Sequence, residues 1–161
     1  MFGVGSPDAA VLFVGEGPGF EEDHRGEPFV GRSGQLLDRI LESVGLSRQA
    51  VYIANIVKCH PMKEPSDPEA RGNDRPPSPD EIAACRGYLD EQIRLIAPKV
   101  IVTLGAVPTR VLLNTEESIT SIRGQWRQYT PAGVGRAVPL LPTFHPAALL
   151  RNPTLKKDVW T

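Results

Sequence analysis

The sequence predicts an α/β fold, a three-layer sandwich built on a central parallel four-stranded sheet. Short apolar runs recur along the chain, helical amphipathic stretches separate them, and glycine or polar residues follow the runs. Alternation of this kind, with crossovers this long, implies a parallel sheet with helices on both faces. At 161 residues the chain fits a single domain, 1–161, large enough to bury a core.

The elements follow in order. Val11-Leu12-Phe13-Val14 ends at glycine and suits a buried parallel strand. Residues 33–46 read as a helix, with Leu36, Leu37, Ile40, Leu41 and Val44 on one face, Ser33 to cap it and Gly45 to end it. Residues 51–57 form the second strand. Ser78-Pro79-Asp80-Glu81 combines a cap, a first-turn proline and early acids. The helix it opens runs to about Ala97 and buries Ile82, Cys85, Leu89, Ile93 and Ile96. Residues 99–104 make a third strand, 107–113 a short helix and 138–144 the fourth strand.

Composition narrows the function classes. The net charge of -1 gives no overall basic field, so any nucleic-acid contact must come from a local patch. No apolar run approaches a membrane span and no signal peptide opens the chain, which makes the cytoplasm the default compartment. Two cysteines, Cys59 and Cys85, are too few for a disulfide framework or a closed metal site, and composition favours two buried thiols. Prolines and glycines gather around the first loop, at 61–79 and at 131–153, which marks these stretches as loops on a scaffold.

Ligands of parallel α/β sheets sit beyond the carboxyl ends of the strands. That rule selects residues 15–23, 55–60, 105–106 and 145–150, where the unusual residues also gather. Gly15-Glu16-Gly17-Pro18-Gly19 first reads as a dinucleotide loop. The fit is poor: the third glycine comes one residue early, a proline intervenes, and the second strand ends without a ribose-binding acid.

A different resemblance is specific. Gly15-Glu16-Gly17-Pro18-Gly19, Glu21-Glu22-Asp23, Gly26-Glu27-Pro28-Phe29-Val30-Gly31 and Ser33-Gly34-Gln35-Leu36-Leu37 resemble family-four uracil-DNA glycosylases, the iron–sulfur, thermostable type. Tyr52-Ile53-Ala54-Asn55-Ile56-Val57-Lys58-Cys59 and His145-Pro146-Ala147-Ala148-Leu149-Leu150-Arg151 continue the likeness over nearly the whole chain, in order. The resemblance implies base excision repair: uracil is flipped out of DNA and its N-glycosidic bond is hydrolysed. The same fold acting on another deaminated base, or a damaged-DNA-binding domain without turnover, are the alternatives.

The resemblance also implies roles. Phe29 corresponds to the residue that stacks on the flipped base, and Asn55 to the amide that reads the uracil edge through O4 and N3. A carboxamide free to rotate reads cytosine equally well, so selectivity calls for a lock on Asn55 that the sequence does not reveal. His145 corresponds to the donor at uracil O2 that stabilises the leaving anion, with the Gly17 amide as second donor. Glu22 corresponds to a residue at the uracil C5 edge, Glu16 to one near the sugar, and Asn73 to a loop residue that assists water; a solvated acidic turn is the plain alternative for these three. Leu149, Leu150 and Arg151 form the expected DNA-facing edge, an apolar wedge beside a phosphate contact, with Lys156 and Lys157 nearby. The partner is uracil-containing DNA, double- or single-stranded, and the protein is expected to be a monomer.

Two departures stand out. Family members with a 4Fe-4S cluster use four cysteines; Cys59 and Cys85 match two of them and the C-x-x-C pair is not in this sequence. The resemblance therefore implies a cluster only in a full-length form with two further cysteines upstream, and otherwise the pair packs as thiols. Both ends look clipped relative to the family, with Trp160-Thr161 falling inside a closing helix. The segment between Cys59 and Cys85 is longer than the family loop. A related subgroup carries an insertion here whose histidine bonds covalently to the sugar. Residues 63–71 contain no histidine, so ordinary turnover is expected.

Overall fold

A computed structural model describes residues 1–160. Thr161, in the expected closing helix, lies outside the described residues. The elements are β1 (Val4–Gly5), β2 (Val11–Gly15), α1 (Phe20–Arg25), α2 (Arg32–Ser43), β3 (Tyr52–Asn55), α3 (Pro79–Ile96) and β4 (Val100–Leu104). They continue with α4 (Ala106–Leu113), α5 (Ile119–Ile122), β5 (Arg127–Tyr129), β6 (Val138–Thr143), α6 (Pro146–Arg151), a 3-10 turn (Pro153–Leu155) and α7 (Lys156–Trp160).

The sheet runs β1-β3-β2-β4-β6-β5. Its four central strands are parallel and correspond to the four read from the sequence. The two-residue β1 and three-residue β5 add antiparallel edges, and their brevity hides them from any periodicity argument. Phe13 pairs with Ile53 and Val14 with Ala54, so neighbouring side chains on adjacent strands share a face.

That alternation divides the core. Leu12, Val14, Ala54, Ile101 and Leu140 pack with Leu89 and Ile93 of α3 and Leu112 of α4. Phe13, Ile53 and Leu104 face the other way, onto Leu37 and Leu41 of α2. Three layers result, as the apolar patterns require.

Helix ends follow local chemistry. Ser78 caps α3 by accepting from Glu81 N, while the Glu81 carboxylate accepts from Ser78 N at 2.8 Å. The expected cap of α2 is displaced: Gly31, not Ser33, is the N-cap. Glu22 supplies the reason, since its carboxylate accepts from Val30 N and Gly31 N at 3.1 and 3.3 Å and fixes the chain's entry. Helix α1 escapes the sequence reading because it buries no residue and shows no apolar period.

Candidate functional site

A cleft of about 920 Å³ opens beyond the carboxyl ends of the four parallel strands. It is lined by Glu16, Gly17, Glu22, Phe29, Asn55 and His145, with Leu150 and Arg151 at its edge. They come from the ends of β2, β3 and β6 or from the segments that follow those strands, so the sheet itself brings them together.

The floor is Gly15. A Cβ there would stand 2.5 Å from Asn55 Oδ1 and 2.6 Å from the Phe29 ring, so only glycine lets ring and amide meet. Asn55 is 1% exposed, and its Oδ1 is the one buried side-chain polar atom without a hydrogen-bond partner among the described residues. Such an atom is costly to leave unpaired and marks a place for an incoming donor. No hydrogen bond among the described residues holds the amide in one orientation, so the lock sought in the sequence is not a hydrogen bond within this chain.

Phe29 is held under strain. It is a non-glycine residue with φ of 53°, a conformation that costs free energy and persists only where the surroundings impose it. Three groups impose it. The Glu22 carboxylate binds the two following amides. Arg48, paired with Asp38, donates to the Pro28 carbonyl at 2.8 Å and to the Phe29 carbonyl. Gly34 makes room, because a Cβ there would collide with the Phe29 carbonyl. The ring ends 5.5 Å from that of His145, tilted 34°.

His145 is the N-cap of α6, and its Nδ1 accepts from Ala147 N at 3.0 Å. An accepting Nδ1 leaves the proton of the neutral ring on Nε2. Burial pushes the pKa down to about 4, Arg151 adds to the effect, and Glu22 opposes it. The ring therefore offers an uncharged Nε2–H donor. Gly105 lets it approach, with φ of 101° and room for a Cβ only 3.0 Å from that of His145.

The carboxylates differ. Glu22 is consumed as a brace, binding Gly19 N in addition to Val30 N and Gly31 N. The Glu16 carboxylate has no hydrogen-bond partner among the described residues, and burial raises its pKa. The Gly17 amide likewise donates to no group among the described residues.

Two expected site residues are elsewhere. Asn73 is 6% exposed and does not line the cleft. Its oxygen accepts from Glu64 N at 2.7 Å and its amide donates to the Glu64 and Asp67 carbonyls, so both donor hydrogens serve the loop and not a water. Leu149 is fully buried against Leu36 and Phe144, which removes it from any DNA-facing wedge; Leu150, half-buried, lines the cleft. Lys156 lies at a smaller hollow with Arg32 and Leu150.

Cys59 is exposed and Cys85 half-buried, its sulfur accepting from Lys58 N at 3.4 Å. Among the described residues no three His, Cys, Asp or Glu side chains gather as a metal site. Two sulfurs do not fit a four-iron cluster, which takes four protein ligands.

Sequence reasoning missed Arg48, whose contacts with Pro28 and Phe29 span 20 and 19 residues. It also missed a pair at the cleft wall, His60 and Asp74, although 55–60 had been selected by the strand-end rule.

Fold and site together define a class: an α/β protein whose strand-end cleft brings together an aromatic ring, an imidazole and a buried, unpaired amide. The sequence matches the profile described as Uracil DNA glycosylase superfamily over residues 2–161, and the chain belongs to that superfamily. It is 43% identical over 160 residues to a type-4 uracil-DNA glycosylase of Sulfurisphaera tokodaii, covering 96% of this chain and 67% of that one. The type-4 enzyme of Thermotoga maritima is 44% identical over 153 residues, covering 94% and 72%. That of Archaeoglobus fulgidus is 40% identical over 158 residues, covering 97% and 74%.

Proposed function

We propose that the protein is a DNA glycosylase that hydrolyses the N-glycosidic bond of uracil in DNA during base excision repair. The observation that carries this reading is the unpaired, buried Asn55 Oδ1 beside the Phe29 ring. Its relatives' type-4 names supply uracil as the base.

The flipped base stacks on Phe29. Asn55 Oδ1 accepts from uracil N3–H while its amide nitrogen donates to O4. As the bond breaks, charge gathers on O2, where His145 Nε2–H and the Gly17 amide donate. A neutral donor suits this step because its hydrogen bond strengthens as the anion forms. Glu16 faces the sugar and Glu22 holds the loop at the C5 edge. Leu150 and Arg151 meet the DNA beside the gap, and Arg25, Arg32 and Arg71 at the cleft rim give the local positive patch that the net charge does not. The protein acts in the cytoplasm as a monomer on uracil-containing DNA, single- or double-stranded. No helix among the described residues is long and apolar enough to cross a membrane.

Incubation with a uracil-containing oligonucleotide followed by alkali tests the reading. Breakage at uracil alone is the expected result. Breakage only at hypoxanthine moves the substrate to another deaminated base, and tight binding without breakage contradicts the enzyme.

A further inference from the structure

We propose that Asp74 is the carboxylate that takes the proton from the attacking water, and that His60 is the positioning residue that aims it. The inference rests on the reading of the protein as a uracil-releasing glycosylase and deepens it.

Four carboxylates line the cleft: Glu16, Glu21, Glu22 and Asp74. Glu22 is committed to three backbone amides. Glu21 faces Arg25 and Arg71 at 4.0 and 3.5 Å. Glu16 is free, but no hydrogen bond gives it a direction. Asp74 alone combines an available oxygen with a fixed orientation. Its Oδ1 meets His60 Nε2 at 2.5 Å, and its side chain is 58% exposed against 2% for that of His60. The enclosed imidazole serves as the anchor and the exposed carboxylate as the working group. An oriented base of this kind is the recurring arrangement where a nucleophile must lose a proton.

The backbone around Asp74 is held on both sides. Asn73 ties it to Glu64 and Asp67. Arg75 donates to the Met62 carbonyl at 2.8 Å and pairs with Glu81 at 2.6 Å. The 62–75 loop thus delivers one carboxylate to the cleft wall. Asp74 Oδ1 and Glu22 Oε2 lie 3.9 and 3.1 Å from the place a Gly19 Cβ would take, which sets the dyad on the Gly17–Gly19 turn.

In the reaction the C1′–N1 bond breaks and its electron pair leaves on the base. A water oxygen bonds to C1′, its proton passes to Asp74 and then to solvent, and the base anion takes a proton from solvent after release. No oxidant, metal or co-reactant is needed.

The test is single-turnover uracil release by wild type, Asp74→Ala, His60→Ala, His60→Gln and Glu16→Gln, with oligonucleotide affinity measured alongside. Asp74→Ala is expected to lose about 100-fold in rate, the lower end for a general base, with affinity within about threefold. Sodium formate should restore at least about tenfold of that loss, which a merely structural defect does not allow. His60→Gln, which keeps a donor, should retain more activity than His60→Ala. Asp74→Ala within threefold of an active wild type, or a loss that formate leaves untouched, overturns the dyad alone. A loss confined to Glu16→Gln does the same. A wild type that releases no uracil overturns the functional reading and the dyad with it.

Discussion

The pocket wall and the lip of the cleft are adjacent in space but built by different forces. The wall consists of Asn55 and His145, at or just beyond the ends of buried strands, and Phe29, in the loop between α1 and α2, backed by Phe13, Leu37 and Leu104. The lip joins α1 to the 62–75 segment through surface contacts: His24 to Glu69 at 3.1 Å, Arg71 to Glu21 at 3.5 Å, and Arg71 over the Phe20 ring at 5.0 Å. Contacts like these are individually weak and screened by salt. Burial sets the geometry of the wall, whereas on the lip only the stretch around Asp74 is anchored by enclosed or multiple hydrogen bonds and the outer contacts can yield.

Substitutions that probe this contrast rank by where they fall. Removing the donor in His145→Ala should cut single-turnover uracil release by about 10²–10³-fold, with DNA affinity nearly unchanged; an unchanged rate would exclude the leaving-group role. Gly15→Ala places a methyl against the Asn55 oxygen and the Phe29 ring. A displacement of that size should cost about 10²-fold in rate, and a rate equal to wild type means that ring and amide do not act together. Behind the wall, Arg48→Ala should lower unfolding stability by about 2 kcal/mol and slow uracil release through the freed Phe29 loop, as read by urea denaturation and kinetics together.

The pH response sharpens the same contrast. His145 titrates near 4 in the folded protein, below its ordinary 6.5. Between those values the unfolded chain binds more protons, so its contribution to stability is full above about 6.5 and is lost as pH falls toward 4. His145→Gln should flatten that decline between pH 6.5 and 4.5 in urea midpoints. Uracil release should show no inflection from this group between pH 5.5 and 8. On the lip, His24 is shifted upward by the Phe20 carbonyl and then by Glu69, yet stands exposed. The smallest effect belongs there: Arg71→Ala should reduce the salt slope of DNA binding by about 1 and leave the rate on bound DNA within twofold.

The same division explains what could be read in advance. The four parallel strands and the two long helices carry apolar periods that the core enforces, so they were legible. Asn55 and His145 sit in compact motifs at strand ends and Phe29 in a compact loop motif, and the structure gathers them in one cleft. Asn73 and Leu149 were misplaced because motif position says nothing of which way a side chain turns. Asn73 turns into its own loop, and Leu149 turns onto Leu36 and Phe144. Arg48 and the His60–Asp74 pair were invisible because their partners lie 10 to 20 residues away, across a helix or a loop. Only the folded chain brings them together.

The account stands most directly on Asn55. Single-turnover release of uracil by wild type and by Asn55→Asp, measured on the same oligonucleotide with binding followed in parallel, isolates the edge-reading amide from the rest of the cleft. Loss of the donor half of the pair predicts a fall of about 10²-fold or more while the DNA still binds. Full activity in Asn55→Asp would contradict the claim that the strand-end wall recognises the base.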